Sequence, residues 1–353
     1  MTLRLVEKPP MEDLNLAESV TNAKTIFDLL PNGLIYLLAN PYLAGKNAQN
    51  AIDEALNLYQ KYKFAGTLDI LGEDCINDQD CDNAVIEYKE LITKVASINN
   101  IFQSGQEKLT VSFKPSMFST IAPSVITKKN TNTALELAYG RIKQVVEHGF
   151  NLNVNLTLEA EDYRWTDFHL DTYFSLLNSG LTNLGTVVQT RLKRTSNDLK
   201  RFTDKSRVRL LIGIYNEPSS IAYTDKSKMK ELMVDFAKVL FDKGSYVELA
   251  SHDTDILGQI FKDVIIKQKI RPSQFETQYL KGVHRLNWQK GLGSGQYFQD
   301  KVDAKYLAES GTIVRLYLPY GVPQVASAYC KRRLQGNPNM IAYGIKNILG
   351  FTK

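Results

Sequence analysis

Short β-rich segments alternate with longer amphipathic segments from about residue 66 onward, and this alternation constrains the fold more than any other sequence feature. Eight segments rich in branched apolar residues predict strands: 66–72, 109–114, 153–158, 185–190, 208–215, 245–251, 275–280 and 312–318. Helical patterns lie between them, among them 82–96, 132–148, 170–178, 227–242 and 254–265. Eight strands that each lead towards a helix predict an α/β fold, the closed (β/α)8 TIM-like barrel.

The main structural alternative is an open, doubly wound sheet with helices on both faces. Sheets of that kind that bind dinucleotides carry a Gly-x-Gly-x-x-Gly turn directly after a strand. The glycine cluster at 291–295 follows no predicted strand and has a different spacing, so we interpret it as a flexible loop. The sequence therefore favours the barrel.

Residues 1–65 precede the first predicted strand, and the stretch 48–62 has apolar residues at helical spacing. We expect a helical arm over 1–65 that packs on a single barrel domain formed by 66–353. No low-complexity segment or linker separates a further domain.

The 353 residues have a formal net charge of +5, with basic and acidic residues interspersed. This pattern argues against nucleic acid as a partner, because a nucleic-acid-binding surface needs a basic stripe. Three cysteines are too few for a disulfide framework, and the amino terminus lacks the apolar core of a signal peptide. We expect a cytoplasmic protein, and a peripheral contact with the inner membrane stays open. No pair of histidines or cysteines has metal-ligand spacing, so no metal is expected.

In a (β/α)8 barrel, chemistry takes place at the carboxyl ends of the strands. Polar residues lie at or near each predicted strand end: Glu73, Lys114, Glu159, Gln189, Arg209, Tyr215, Ser251, His252, Gln278, Arg315 and Tyr317. Any one of them is compatible with an ordinary barrel residue. Because buried charge is costly unless it is paired, the whole set indicates a site instead, cationic and aromatic in character.

A helical segment after the eighth predicted strand carries Tyr329, Arg332 and Arg333 at positions i, i+3 and i+4, which places them on one helical face. The guanidinium group binds carboxylates through two parallel hydrogen bonds. Together with Tyr317, these residues predict a socket for a small carboxylate attached to an apolar group. A basic surface helix is the alternative reading of the same residues.

The sequence resembles the proline dehydrogenases, flavin-dependent (β/α)8 enzymes, from Thr67 to about Ile348. The motifs that carry the resemblance are DILGE at 69–73, VSFK at 111–114, LEAED at 158–162, VVQT at 187–190, VRLLIGIYNEP at 208–218, ASHD at 250–253, FETQYLKG at 275–282 and VRLYLPYG at 314–321. Each motif is weak alone, but their order and spacing are specific.

The resemblance implies oxidation of L-proline to 1-pyrroline-5-carboxylate, by hydride transfer from C5 to FAD, and a quinone or another electron acceptor as partner. It implies catalytic roles for Arg209, beside the reactive flavin nitrogen, and for Glu159. It assigns the substrate carboxylate to Lys114, Arg332 and Arg333, the ring to Tyr317 and Tyr329, and the orientation of Arg332 to Glu73. The implied flavin contacts are Ala160, Gln189, Ile212, Gly213, Ile214, Tyr215, Ser251 and His252.

The chain departs from the family pattern at three positions, because Ile212 replaces a lysine, Glu159 an aspartate and Gly336 a glutamate. The segment 284–310 is also longer than usual and carries aromatic residues expected near the mouth, namely Trp288, Tyr297 and Phe298. These departures keep two alternatives open. One is a related flavoenzyme that acts on another cyclic imino acid, such as hydroxyproline or pipecolate. The other is a flavin-free relative that binds a carboxylate ligand.

Overall fold

The computed structural model describes residues 40–72, 75–121, 131–283 and 285–323. The strands of this part form one closed parallel barrel in chain order: β1 Ala65–Ile70, β2 Thr110–Phe113, β3 Leu156–Leu158, β4 Leu184–Gln189, β5 Arg207–Leu211, β6 Tyr246–Ala250, β7 Phe275–Leu280 and β8 Ile313–Tyr320. Its α-helices are α1 Ala48–Tyr62, α2 Asp78–Ile98, α3 Thr131–Asn151, α4 Thr166–Asn178, α5 Thr195–Asp198, α6 Lys226–Asp242, α7 Thr254–Ile260, α8 Leu286–Gly293 and α9 Lys305–Ser310. The expected (β/α)8 barrel is confirmed.

The barrel closes between its first and last strands. β1 and β8 run parallel, with Thr67 opposite Tyr317 and Asp69 opposite Pro319. The amide of Ala44, just before α1, donates to the carbonyl of Pro319 at 2.8 Å. This bond ties the segment that precedes the first strand to the closing strand.

The helices form an outer layer around the sheet, because alternate strand residues point outward and are apolar. Val208 and Leu210 of β5, and Val247 and Leu249 of β6, have no exposed surface. Arg141 of α3 links this layer to the neighbouring helix α2 through Asp78 and Asp82, at 2.8 and 2.7 Å. The hydrophobic core therefore lies between the strands and the helices, and not inside the barrel.

Three predicted segment boundaries were wrong for local backbone reasons. The third strand begins at Leu156 and not at Asn153, because Asn153 has a left-handed φ of 55°. The fifth ends at Leu211 and not at Tyr215, because the chain turns at Gly213, whose φ is 100°. The expected loop at 291–295 is helical up to Gly293, since the buried Gln289 and Leu292 anchor α8 on the barrel.

The aromatic residues of segment 284–310 pack in the outer layer, which corrects the expectation that they lie at the mouth. The indole nitrogen of Trp288 donates to the hydroxyl of Tyr279 at 2.9 Å. Tyr297 lies against Trp288, with 4.6 Å between ring centroids, and Phe298 is completely buried against Phe261. The aromatic residues of this segment therefore extend the hydrophobic core.

None of the described helices is both long enough and apolar enough to cross a lipid bilayer.

Candidate active site

The inside of the barrel is lined by polar and charged side chains that bond across it. The hydroxyl of Ser112 on β2 donates to the hydroxyl of Tyr317 on β8 at 3.2 Å. Arg209 on β5 pairs with Glu159, which follows β3. Neither pair joins neighbouring strands, so both contacts cross the interior. Because a buried charge is costly unless it is paired, these contacts determine how the centre of the barrel is organised.

Arg209 is the central cation of the mouth, with only 3% of its surface exposed. Its Nη1 donates to Glu159, and its Nε donates to Glu248 at 3.3 Å. Burial opposes its charge, but the two carboxylates outweigh burial and raise the pKa of Arg209. Its Nη2 atom is buried and has no hydrogen-bond partner among the described residues. A permanently charged guanidinium therefore keeps one unmet donor inside the barrel.

The ring of Tyr317 lies beside this guanidinium, with the Arg209 Cζ 5.4 Å from the ring centroid. This distance is within the range of a cation–π contact. The contact places an aromatic ring next to the cation.

A second group at the mouth is built on Asp69 and Lys114. The Lys114 Nζ lies 3.3 Å from the Asp69 Oδ2, and the Ser112 Oγ lies 3.4 Å from the other carboxylate oxygen. Burial raises the pKa of Asp69, and the Lys114 charge opposes that rise. Asp69 has no exposed surface, whereas Lys114 is partly exposed at the mouth. The pair therefore presents its positive end to a ligand.

The ends of β4 and β5 meet where the flavin contacts were predicted. The Gln189 Nε2 donates to the carbonyl of Glu161 at 2.9 Å. Gly213 next to this side chain has a φ of 100°, a backbone conformation that favours glycine. The buried Thr190 Oγ1 and Arg191 Nε next to it have no hydrogen-bond partner in the part of the chain that the structure describes.

His252 is fixed at the end of β6. The amide of Leu280 donates to its Nε2 at 3.2 Å, and its own carbonyl accepts from the Arg285 Nε at 2.9 Å. Since Nε2 accepts a hydrogen bond, the proton of the neutral ring lies on Nδ1. The remaining predicted flavin contacts also lie at this end of the barrel, with Ile214 exposed and the others partly exposed: Ala160, Ile212, Tyr215 and Ser251.

Two residues that were predicted to lie at strand ends, Arg315 and Gln278, lie deeper in the barrel. Arg315 bonds the carbonyls of Gly66 and Lys108, which precede or begin their strands, so it lies at the amino-terminal end. Gln278 lies between Glu248 and Glu276. Both are parts of a buried network and not of the mouth. The predicted site residues Glu73, Tyr329, Arg332 and Arg333 lie outside the described residues, as does Gly336.

The residues that sequence reasoning missed are Asp69, Ser112 and Glu248. Each is a polar residue inside a strand whose neighbours are apolar, and that interruption was the available signal. Glu248 has the largest role, because it accepts from Arg207, Arg209 and Gln278. Burial raises its pKa, but the arginines outweigh burial and lower it, so Glu248 is a carboxylate.

No group of three or more histidine, cysteine or acidic side chains arranged to hold a metal ion occurs within the described ranges.

The known proteins that this sequence matches are described as proline dehydrogenases. The family model described as proline dehydrogenase matches residues 52–213. Proline dehydrogenase 1 of Bacillus subtilis is 26% identical over 312 residues, which cover 88% of this chain and 90% of that protein. Proline dehydrogenase of Deinococcus radiodurans is 26% identical over 317 residues, with the same coverage.

Solved structures agree in fold. Proline utilization A of Bdellovibrio bacteriovorus, crystallised after inactivation by N-propargylglycine, superposes with a TM-score of 0.70 at 20% identity. Proline utilization A of Bradyrhizobium japonicum has a TM-score of 0.67 at 17% identity. Each match covers 84% of this chain, which spans 32% and 30% of those two longer chains. Over most of its length the chain is therefore similar in sequence to the proline dehydrogenases, and it shares the barrel fold of the proline utilization A proteins.

Proposed function

We propose that this protein oxidises L-proline to 1-pyrroline-5-carboxylate, with FAD as its cofactor. The observation that carries the proposal is the Arg209 Nη2, an unmet donor on a buried cation next to the aromatic ring of Tyr317. A cation fixed in this way stabilises negative charge that develops nearby without having to reorganise.

The residues at the mouth fit a flavin. Unmet donors on Arg209, Thr190 and Arg191 lie near the ends of β4 and β5 and suit the carbonyl and phosphate oxygens of FAD. Gly213 allows the chain to turn with a φ of 100° beside Gln189, just after the end of β5. When bound, FAD would supply the two-electron acceptor for the hydride from C5 of proline.

The substrate carboxylate is assigned to Lys114, together with Arg332 and Arg333 of the carboxyl-terminal segment. Each charge-assisted hydrogen bond contributes about 1.5–3 kcal/mol. Tyr317 and Tyr329 would flank the pyrrolidine ring, and Glu73 would orient Arg332. The protein's task is then mainly orientation, which holds C5 towards the flavin while Arg209 supports the negative charge of the reduced ring.

Glu159 stabilises Arg209 in this scheme. Its carboxylate accepts from the Nη1, so it fixes the plane of the guanidinium and the direction of the unmet Nη2. The roles of Ala160, Ile212, Ile214, Tyr215, Ser251 and His252 are those of a flavin-binding rim. The electrons would pass to a quinone or another acceptor, in a cytoplasmic protein that contacts the inner membrane peripherally. Residues 1–65 would form an arm on the barrel of 66–353.

The spectrum of the purified protein tests this proposal. After incubation with FAD and gel filtration, we expect the flavin absorbance bands to stay with the protein. Anaerobic addition of L-proline should then bleach them. A protein that retains no flavin contradicts the cofactor assignment. Bleaching by pipecolate or hydroxyproline, with none by proline, contradicts the substrate assignment.

A further inference from the structure

The amino-terminal end of the barrel contains a cavity of about 350 Å3, opposite the candidate active site. We call it the floor cavity and define it by Gln106, Lys108, Asn155, Arg207, Glu276 and Arg315. Nothing in the proposed oxidation of proline uses this end of the barrel, so the chemistry of its walls requires a separate explanation.

One wall of the floor cavity is neutral and satisfied internally. Arg315 donates to Glu276 at 2.6 and 3.1 Å and to the carbonyls of Gly66 and Lys108 at 2.9 Å each. Glu276 also accepts from the hydroxyl of Tyr246 at 3.0 Å. This arginine and this carboxylate therefore balance each other and have their hydrogen bonds within the protein.

The other wall carries Arg207 and Lys108. Arg207 donates through its Nε to Glu248, a carboxylate that also accepts from Arg209, which is itself paired with Glu159. The Nη1 of Arg207 is buried and has no hydrogen-bond partner among residues 40–72, 75–121, 131–283 and 285–323. Lys108 adds a second cation, and no carboxylate of the same ranges forms an ion pair with it. Arg207, which has an unmet donor, and Lys108, which has no ion-pair partner in these ranges, therefore both belong to the lining of the cavity.

Neutral groups complete the wall with further hydrogen-bonding capacity. Asn153, Asn155 and Ser273 also belong to the lining. The lining contains the carboxylate of Glu276, which is already paired with Arg315. Glu276 therefore provides no counter-ion for Arg207 or Lys108. A ligand that satisfies this wall must accept hydrogen bonds and carry negative charge.

We propose that the floor cavity binds a small oxyanion, a phosphate or a carboxylate group, through Arg207 and Lys108. The volume admits a compact anion, and the cavity lies at the end of the barrel opposite the proposed cofactor site. The site is formed by the strand starts β5 and β8 and the segments before β2 and β3, so it is independent of the mouth.

Calorimetric titration of the full-length protein with inorganic phosphate tests the proposal, with ionic strength held constant by sodium chloride. We expect saturable binding at one site and a rise in the melting temperature. A parallel titration with succinate decides between a phosphate and a carboxylate ligand. If neither anion binds saturably, the cavity holds only water and the proposal is wrong.

Variants locate the binding. Lys108→Gln should weaken binding about tenfold, the effect of one lost charge-assisted hydrogen bond. The matched control Lys305→Gln removes a largely exposed charge on α9 and should leave binding unchanged. Arg207→Gln should abolish binding. If Arg207→Gln does not fold, the result for Lys108→Gln still decides the test.

A further variant separates this site from the active site. Lys114→Met should bind phosphate as the wild type does, because Lys114 lies at the mouth. If Lys114→Met loses binding and Lys108→Gln keeps it, the anion occupies the mouth and the floor-cavity site is refuted. The titrations require neither bound flavin nor proline, and the Lys114→Met variant distinguishes binding at the floor cavity from binding at the proposed carboxylate site of the mouth.

Discussion

Arg315 at the floor and Arg209 at the mouth are both buried inside the barrel, with 2% and 3% of their surfaces exposed. Arg315 is bonded to one carboxylate and to backbone carbonyls around it. Arg209 is bonded to two carboxylates, yet one of its nitrogens has no partner among the described residues. The same residue type at the same burial thus supports structure in one place and presents a donor in the other. The unmet donor, and not the burial, distinguishes Arg209, the residue for which we propose a catalytic role.

The floor arginine should give the largest effect on stability. Arg315→Met leaves Glu276 buried without its cation, and loss of one partner of a buried ion pair costs about 3–5 kcal/mol. We expect a matching loss in the free energy of unfolding, measured by urea denaturation. The double variant Arg315→Met with Glu276→Gln should recover part of it. A single variant as stable as the wild type would mean that the floor network is dispensable.

The mouth arginine should instead affect catalysis. Arg209→Met removes a preorganised cation, which costs about 10²–10³ in kcat. Its effect on stability should be smaller than that of Arg315→Met, because Glu248 keeps Arg207 and Gln278 as partners and the side chain of Glu159 is 11% exposed to water, whereas that of Glu276 is fully buried. Steady-state kinetics with proline measure kcat, and urea denaturation measures the free energy of unfolding. A variant that loses stability but keeps kcat would mean that Arg209, like Arg315, is a structural residue.

A variant of Lys114 tests the proposed contact with the substrate carboxylate at the mouth. Lys114→Met should raise the KM for proline roughly 10- to 100-fold, as expected for one charge-assisted hydrogen bond, with a smaller change in kcat. FAD should remain bound, which the absorbance spectrum reports. The control Lys305→Met removes an exposed charge far from the mouth and should keep the wild-type KM. A kcat effect with unchanged KM would assign Lys114 to a different role.

The smallest expected effect is a pH dependence from Glu217, in the loop after β5. Burial raises its pKa from 4.5 to about 7, although it accepts a hydrogen bond from the amide of Tyr163. The folded protein therefore holds a proton that the unfolded chain releases. Its contribution to stability is present below pH 4.5 and is lost as the pH rises through about 7.

Urea denaturation across this pH range checks the sign. The stability of Glu217→Gln should decline less between these pH values than that of the wild type. An identical decline in both proteins would assign the pH dependence to other groups. Glu248 should not contribute in this window, because its arginine partners lower its pKa.

The sequence predicted the fold well because each strand and helix leaves a local pattern. All eight strands fall within a few residues of their predicted positions, and the errors at Asn153 and Gly213 come from backbone angles that apolar periodicity does not record. The individual strand-end residues Lys114, Gln189 and Tyr317 were also predictable, since a barrel places strand ends together.

The network that connects these residues was not predictable. Glu248 acquires its role only when the register brings Arg209 beside it, and the two lie 39 positions apart in the chain. Arg315 could not be separated from a mouth residue by type or strand. Its depth follows from bonds to the carbonyls of Gly66 and Lys108, which are distant in sequence. The sequence shows which residues are polar, but which of them pair with each other depends on the tertiary structure.

The closing contact between β1 and β8 has a consequence for how this protein folds. Arg315 and the carbonyl of Gly66 are separated by 249 positions, so the barrel cannot close until the last strand has left the ribosome. Until then, Glu276 of β7 lacks Arg315, its ion-pair partner on β8. Contacts of such long sequence separation make folding slow. We therefore expect barrel closure to be the late step, at which the interior charges lose their water and pair.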